Sequence, residues 1–276
     1  MGFNSFSDID PAKIHTGISR KVLVSASAQN SWYDDSMIGP DPGLNLYADA
    51  PLSATALTAN KGIRHWQAHD SHTEHLLEWF MSGSGGSDGP MSFMLNDHLL
   101  YYPFVDCETG DQQDMDNTVT LPREATGHGV RAFIVCQQTG TVDGAYSLSY
   151  TNQDGVSGRV VTSGVRAGAQ ASQLLTSPIT VAAASVPWVP LASGDTGMRS
   201  VESITWTTPP GGLAAIVLAK PIAQIMYSET TSYTEKQFYP RMPRIHNEAC
   251  LMMLRGAGNS PSAARQYFSQ ITTIKS

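Results

Sequence analysis

The sequence is poor in charge. Of its 276 residues only 15% are Asp, Glu, Lys or Arg, against 41% hydrophobic, whereas soluble globular domains carry about a quarter charged. A long chain with so few charges is expected to hide much of its surface against other protein. There is no cationic excess either. The 17 Lys and Arg face 24 Asp and Glu, a formal net charge of −7 with neither sign gathered into a run. No positive field exists to draw in phosphate backbones, and no nucleic-acid partner is expected. Cysteine is scarce: Cys107, Cys136 and Cys250 are odd in number and lack C-x-x-C spacing. They signal neither a disulfide framework nor a thiolate zinc site, and they fit assembly in a reducing cytoplasm. No apolar run is long enough to span a bilayer, and Met1-Gly2-Phe3-Asn4-Ser5-Phe6 lacks the basic and apolar regions of a signal peptide, so no membrane partner is expected.

The signatures of common enzyme classes are missing too. There is no phosphate loop, no dinucleotide fingerprint and no HExxH. Three constellations stand out against that background. His65, His69, His72 and His75 make up half of the eight histidines. On a helix that began early, His65, His69 and His72 would share a face and could ligate zinc or another transition metal. Ser71-His72-Thr73-Glu74, however, has the form of a capping box, which starts the helix later and leaves His65 and His69 on an extended segment with alternating side chains. Surface histidines at a strand-to-helix junction are the favoured reading. Asp106, Glu108, Asp111, Asp114 and Asp116 form the densest acidic stretch, but no Glu closes a calcium loop at its twelfth position, so a solvated loop is expected. Gly85-Gly86-Ser87-Asp88-Gly89 matches G-x-S-x-G in a Gly/Ser-rich loop with a helix expected before it, the reverse of the hydrolase order. No catalytic, cofactor-binding or metal residues are assigned, and no cofactor.

What is abundant is strand signal. Short apolar or alternating runs occur at Lys21–Ala26, Leu44–Tyr47, Met91–Leu95, Leu99–Val105, Thr118–Leu121, Val130–Cys136, Tyr146–Tyr150, Arg159–Thr162, Ile179–Ala183, Ser203–Trp206, Leu213–Ala219 and Ala249–Leu254, each bounded by turn formers. Tyr146–Tyr150, Asn152-Gln153-Asp154-Gly155 and Val156–Val161 compose a hairpin. Trp32, Trp66, Trp79, Trp188 and Trp206 suit a β core, and Val186–Pro190 suits an edge, since Pro cannot donate to a central ladder. Two helices are predicted, one over Ser71–Ser82 with Leu76, Leu77 and Phe80, and Trp79 nearby, giving its apolar face, and a second over Pro261–Phe268. The fold class that follows is mainly β, a β-sandwich or jelly roll with one or two short helices and extended terminal arms. Three regions are expected: an arm over 1–62 with isolated strands, a core over 63–235, and an extension over 236–276 carrying a strand and a short helix.

One stretch carries a resemblance. Pro190-Leu191, Gly194-Asp195-Thr196-Gly197-Met198-Arg199-Ser200-Val201-Glu202-Ser203-Ile204, the apolar Gly211–Leu218 run ending in Lys220-Pro221-Ile222, and Tyr239–Ile245 leading into Ala249–Leu254 resemble tailed-bacteriophage virion structural proteins. The likeness covers about the last third of the chain and transfers no functional residue. It implies a non-enzymatic structural subunit of a virion, of decoration, tail or connector type, made in the host cytoplasm. Its partners would be copies of itself, as a trimer or hexamer, and other virion proteins. A major shell protein would need a long helix that no periodic segment supplies. The runner-up is a glycan-binding or glycan-cleaving tail component with a loop-built site. Self-association is expected through the arm, the Ala249–Leu254 strand, or both, added to a neighbour's sheet edge.

Overall fold

The computed structural model describes residues 13–23, 27–66, 73–84, 91–176, 187–227, 233–258 and 265–275. The chain is mainly β. Its strands are β1 (Ile14–Val22), β2 (Ser31–Asp34), β3 (Pro40–Asp41), β4 (Thr55–Ala56), β5 (Glu74–Ser84), β6 (Met91–Asp106), β7 (Gln113–Asp114) and β8 (Arg131–Gln138), then β9 (Gly144–Asn152), β10 (Arg159–Val165), β11 (Met198–Thr208), β12 (Leu213–Tyr227), β13 (Tyr233–Gln237), β14 (Arg244–Ile245), β15 (Leu251–Ala257) and β16 (Gln266–Lys275). They form three antiparallel sheets. The first runs β13-β5-β16-β1-β3, with β14 beside β5; the second runs β10-β9-β11-β7; the third runs β2-β15-β6-β12-β8, with β4 beside β6.

The third sheet closes on itself. Residues 172–175 bond to β8 through Cys136 N to Gln173 O (2.8 Å) and Leu175 N to Ile134 O (2.8 Å). On their other side they bond to β2 through Leu174 N to Trp32 O (2.8 Å) and Asp34 N to Ser172 O (2.8 Å). Closure removes both edges of this sheet. Its interior is filled by Trp32, Tyr47, Met94, Phe133, Leu174, Trp188, Val217, Met252 and their neighbours.

Two long strands organise the rest. On the outer side of the ring, Met91, Phe93 and Leu95 of β6 and Ile225 and Tyr227 of β12 pack with Leu76, Trp79, Met81, Tyr267 and Ile271 of the first sheet. The other ends of the same two strands, through Leu100, Tyr102, Ile216 and Leu218, pack with Tyr146, Leu148, Tyr150, Ile204 and Trp206 of the second sheet. The sequence supports this: β12 reads Leu-Ala-Ala-Ile-Val-Leu-Ala, apolar on both faces because both are covered. Pro221 lies just beyond Ala219, where β8 stops pairing, and next to an irregularity at Pro221/Ala223, so its missing N–H breaks no ladder shared by two neighbours.

Several expectations are corrected. Of the predicted helix, Ser71 and His72 lie outside the described residues, and Glu74–Ser84 is strand β5. A register shift opposite Thr272/Thr273 skips Leu77, so Leu76, Trp79 and Met81 all face inward at spacings of three and two. The bulge adds one residue to the period and thereby imitates helical spacing. Glu74 binds a histidine within the core rather than capping a helix. In the second predicted helix, 261–264 lie outside the described residues, and Gln266–Phe268 open β16. Met91–Leu95 and Leu99–Val105 are a single strand, and neither Thr118–Leu121 nor Leu44–Tyr47 is a strand. Ile179–Ala183 lies outside the described residues. Among the described residues helix is limited to 3-10 turns such as Asp35–Met37 and Ala59–Lys61. The β9–β10 hairpin forms, with Tyr150 opposite Arg159. Lastly, β15 is buried between β2 and β6 of its own chain, and β1 pairs with β16, so the C-terminal strand does not add to a neighbour's sheet.

Candidate functional site

Among the described residues four polar clusters stand out, and three of them lie inside the fold. The first is built on β2 and β15. Arg255 occupies the apolar run Leu-Met-Met-Leu-Arg-Gly-Ala, facing the first sheet, and is 1% exposed. Its Nε donates to Asp35 Oδ1 (3.1 Å) and its Nη1 to Ser27 Oγ (3.1 Å). Its guanidinium lies 4.7 Å and 5.7 Å from the ring centroids of Tyr33 and Tyr267. Lys21 nearby donates to the carbonyls of Ile38 (2.8 Å) and Pro42 (2.7 Å). Burial lowers the Lys21 ammonium, opposed by Asp35, Asp34 and Asp41, while burial raises the Asp35 carboxyl, opposed by Arg255 and Lys21.

The second cluster sits where the closed sheet is polar inside. Tyr47 Oη donates to Asp34 Oδ2, meets Ser36 Oγ at 2.8 Å, and lies 3.3 Å from His98 Nδ1. Burial, reinforced by the Asp34 charge, keeps the Tyr47 phenol protonated, and burial lowers His98 against the pull of Asp34 and Asp97. Asn96, Asp97 and His98 interrupt an otherwise apolar strand yet do not break it, because each finds a partner. Asn96 Nδ2 donates to Met94 O (2.9 Å), and Asp97 takes a bidentate pair from Arg123 (2.7 and 3.1 Å) as well as the Cys250 N–H (2.8 Å).

His65 anchors the third cluster. It is 4% exposed, not a surface residue as expected, with Nδ1 2.7 Å from Glu74 Oε2 and Nε2 2.8 Å from Ala249 O. His69 and His72 lie outside the described residues, and His75 follows Glu74 on the opposite face of β5. The described part of the histidine group is therefore split across a sheet, and no group of three His, Cys, Asp or Glu able to hold a metal occurs among the described residues.

The acidic stretch is exposed, and its carboxylates close their own turns. Asp106 Oδ1 accepts from Glu108 N (2.8 Å), Asp114 Oδ1 from Gln112 Nε2 (2.7 Å) and Asp116 Oδ1 from Thr118 N (3.1 Å). They point to separate local donors rather than to one centre. Gly85–Gly89 lies outside the described residues. Of the tryptophans, Trp32, Trp79, Trp188 and Trp206 are buried, whereas Trp66 is half-buried beneath Lys275. The three thiols are buried and free. Burial pushes Cys136 up to about 11 and raises Cys107 and Cys250 further. Because the thiolate is the reactive form, the native protein is expected to show no thiol reactive towards Ellman's reagent and all three once unfolded in urea. Rapid labelling of the native protein would contradict the burial.

The fourth cluster, on the second sheet, explains Gly194–Val201 in physical terms. Asp195 accepts from Tyr150 Oη (2.5 Å), Asn152 Nδ2 (2.8 Å) and Arg159 Nε (3.0 Å), locking the turn onto the β9–β10 hairpin. A Cβ on Gly197 would lie 2.0 Å from Gly127 O, so only glycine fits. Arg199 Nη2 donates to Gln153 O (2.7 Å), and Glu202 accepts from Ser149 (2.7 Å), Thr151 (2.7 Å) and Gly158 N (3.0 Å). Burial alone would raise the Asp195 and Glu202 carboxyls, but the accepted hydrogen bonds outweigh it and hold both below the usual carboxylate range. The fold thus favours their ionised forms. That stabilisation is complete above about pH 4, the ordinary carboxylate value, and is lost as pH falls through the depressed values. Asp195→Asn is expected to cost about 2 kcal/mol at pH 7 and to lose less stability than the parent between pH 5 and pH 3, as read from urea midpoints.

The class these observations define is a mainly β protein of antiparallel sheets around one closed sheet. No family model matches the chain, and no curated protein matches it in sequence. A solved structure of T = 1 particles derived from infectious bursal virus aligns over 95% of this chain and 77% of that chain, at 8% identity and a TM-score of 0.22. A likeness that low carries no argument.

Proposed function

We propose that the chain is a non-enzymatic structural subunit of a virion, and within that class a decoration, tail or connector component of a tailed bacteriophage that assembles with itself and with neighbouring virion proteins. The observation that carries this reading is how the ionisable groups are used. Arg255–Asp35, Arg123–Asp97 and Arg159–Asp195 each spend their charge on tying one strand or loop to another, and the His65–Glu74 hydrogen bond does the same, which is what a subunit that must keep its shape requires. The resemblance of Gly194–Val201 and the following strand to phage virion proteins supports the finer assignment, as does the low share of charged residues.

The test is an assay of the purified protein against polysaccharides of the host surface. The proposal expects neither retention on them nor their cleavage. Depolymerisation abolished by one Asp or Glu substitution would replace it with the glycan-cleaving reading.

A further inference from the structure

A sheet edge is a row of unpaired N–H and C=O groups, and proteins guard edges with charge, proline, bulges or brevity. Three edges here are guarded. In the first sheet, β13 carries Glu235 and Lys236, and β3 is two residues with Pro40. In the second, β7 is two residues with Asp114. The remaining edge, β10, reads Arg-Val-Val-Thr-Ser-Gly-Val over seven residues. It has no charge after Arg159, whose side chain is held by Asp195, no proline, and a register with β9 free of shifts. Among the described residues no segment pairs with its second edge. Val160 is 56% exposed, and Thr162 and Gly164 are exposed beside it. The adjoining outer row of β9 is Ala145, Ser147, Ser149 and Thr151, small and uncharged.

We propose that β10 pairs antiparallel with β10 of a second copy about a two-fold axis at Thr162, joining two four-stranded sheets into one continuous sheet. The sequence is self-complementary in that register. Val160 meets Gly164 of the other copy on the outer face, Val161 meets Ser163 on the inner face, and Arg159 meets Val165, so no like charges stand opposite each other. The alternation of exposed and buried residues is symmetric about Thr162, so both copies keep their outer faces on the same side. An isologous contact of this kind closes after two copies. Seven residues of edge bury less than the ~800 Å² per partner of a standard interface, so the free protein should dimerise weakly and reversibly, with the contact filling at the high local concentration of a particle.

This inference rests on the proposed structural role, and its test separates the two. The mass of the full chain is measured by sedimentation across a concentration series, beside Thr162→Lys and Thr162→Cys. The expected results are a reversible dimer, a dimer at least about tenfold weaker for Thr162→Lys, where two ammonium groups would face each other, and a covalent dimer of Thr162→Cys on mild oxidation. Leu44→Cys, also at an exposed position but on another part of the surface, should cross-link far less. A chain monomeric at every concentration would overturn the inference, and protection from hydrogen exchange of those β10 amides that point away from β9 would show, in that monomer, that the chain itself covers the edge. A dimer indifferent to Thr162→Lys would overturn it equally, by placing the contact elsewhere. Either failure alongside stable incorporation into particles leaves the structural role standing, whereas a Thr162 dimer absent from particles refutes the role alone.

Discussion

Replacing Arg255 by methionine is expected to cost about 3–5 kcal/mol at pH 7, because it takes from the buried Asp35 carboxyl the guanidinium that offsets its burial. Both side chains are 1% exposed, so water cannot take over. The cost should depend on pH in a definite direction. Burial already raises the Asp35 carboxyl, and Arg255 is the largest influence opposing that rise; without the guanidinium it rises further. A carboxyl whose folded value lies above its unfolded one destabilises the fold increasingly as pH rises from the unfolded value, near 4, and in full above the folded value. Urea midpoints at pH 7 and pH 4.5 should therefore show the variant closer to the parent at the lower pH. Asp35→Asn added to Arg255→Met should recover part of the loss at pH 7, since the orphaned charge is gone. A single variant as stable as the parent at pH 7 would mean that the pair is not buried as described.

The second large effect separates the strand at Glu74–Ser84 from the helix its spacing suggests. Trp79 is 0% exposed and donates from Nε1 to Ser269 Oγ at 2.8 Å, whereas Phe80 lies on the outer face, stacked on Tyr233 with centroids 5.6 Å apart. Trp79→Ala should cost about 3–5 kcal/mol. Phe80→Ala should cost only about 1 kcal/mol, the worth of an exposed aromatic pair. On a helix with Leu76, Leu77 and Phe80 inward the order would be reversed, so the ranking of two denaturant midpoints decides between them.

That misreading shows where local sequence stops being informative. Period-two alternation carried the β9–β10 hairpin, and short continuous apolar runs carried β8, β15 and the first half of β12. It failed at β5, where one bulged residue shifted the phase. It failed again at β6, where Asn96-Asp97-His98 looked like a break because the partners of Asp97 and His98, namely Arg123, Cys250 and Tyr47, are distant in sequence. Ring closure by residues 172–175 depends on two strands about a hundred residues apart and leaves no local mark. The clusters follow the same logic. Arg255 directly follows the apolar Ala249–Leu254 run, and its partner Asp35, 220 residues away, leaves no local sign of the ion pair. His65 looked like one member of a histidine group because nothing near it in sequence pointed to Ala249 O. The Gly194–Val201 pattern was legible as a turn entering a strand. Its reason, Asp195 gripping Tyr150, Asn152 and Arg159, needed the fold.

The structural role is tested most directly by the composition of particles. Virions from cells producing this chain, banded on a density gradient and washed in high salt, should contain it at a fixed ratio to the major shell protein, as intact chain measured by quantitative mass spectrometry against labelled peptides. The account predicts a ratio unchanged across successive gradients, and particles that fail to mature, or that lose stability or infectivity, when the chain is omitted. A chain that stays in the soluble fraction, with particles of normal composition and stability formed in its absence, would contradict it.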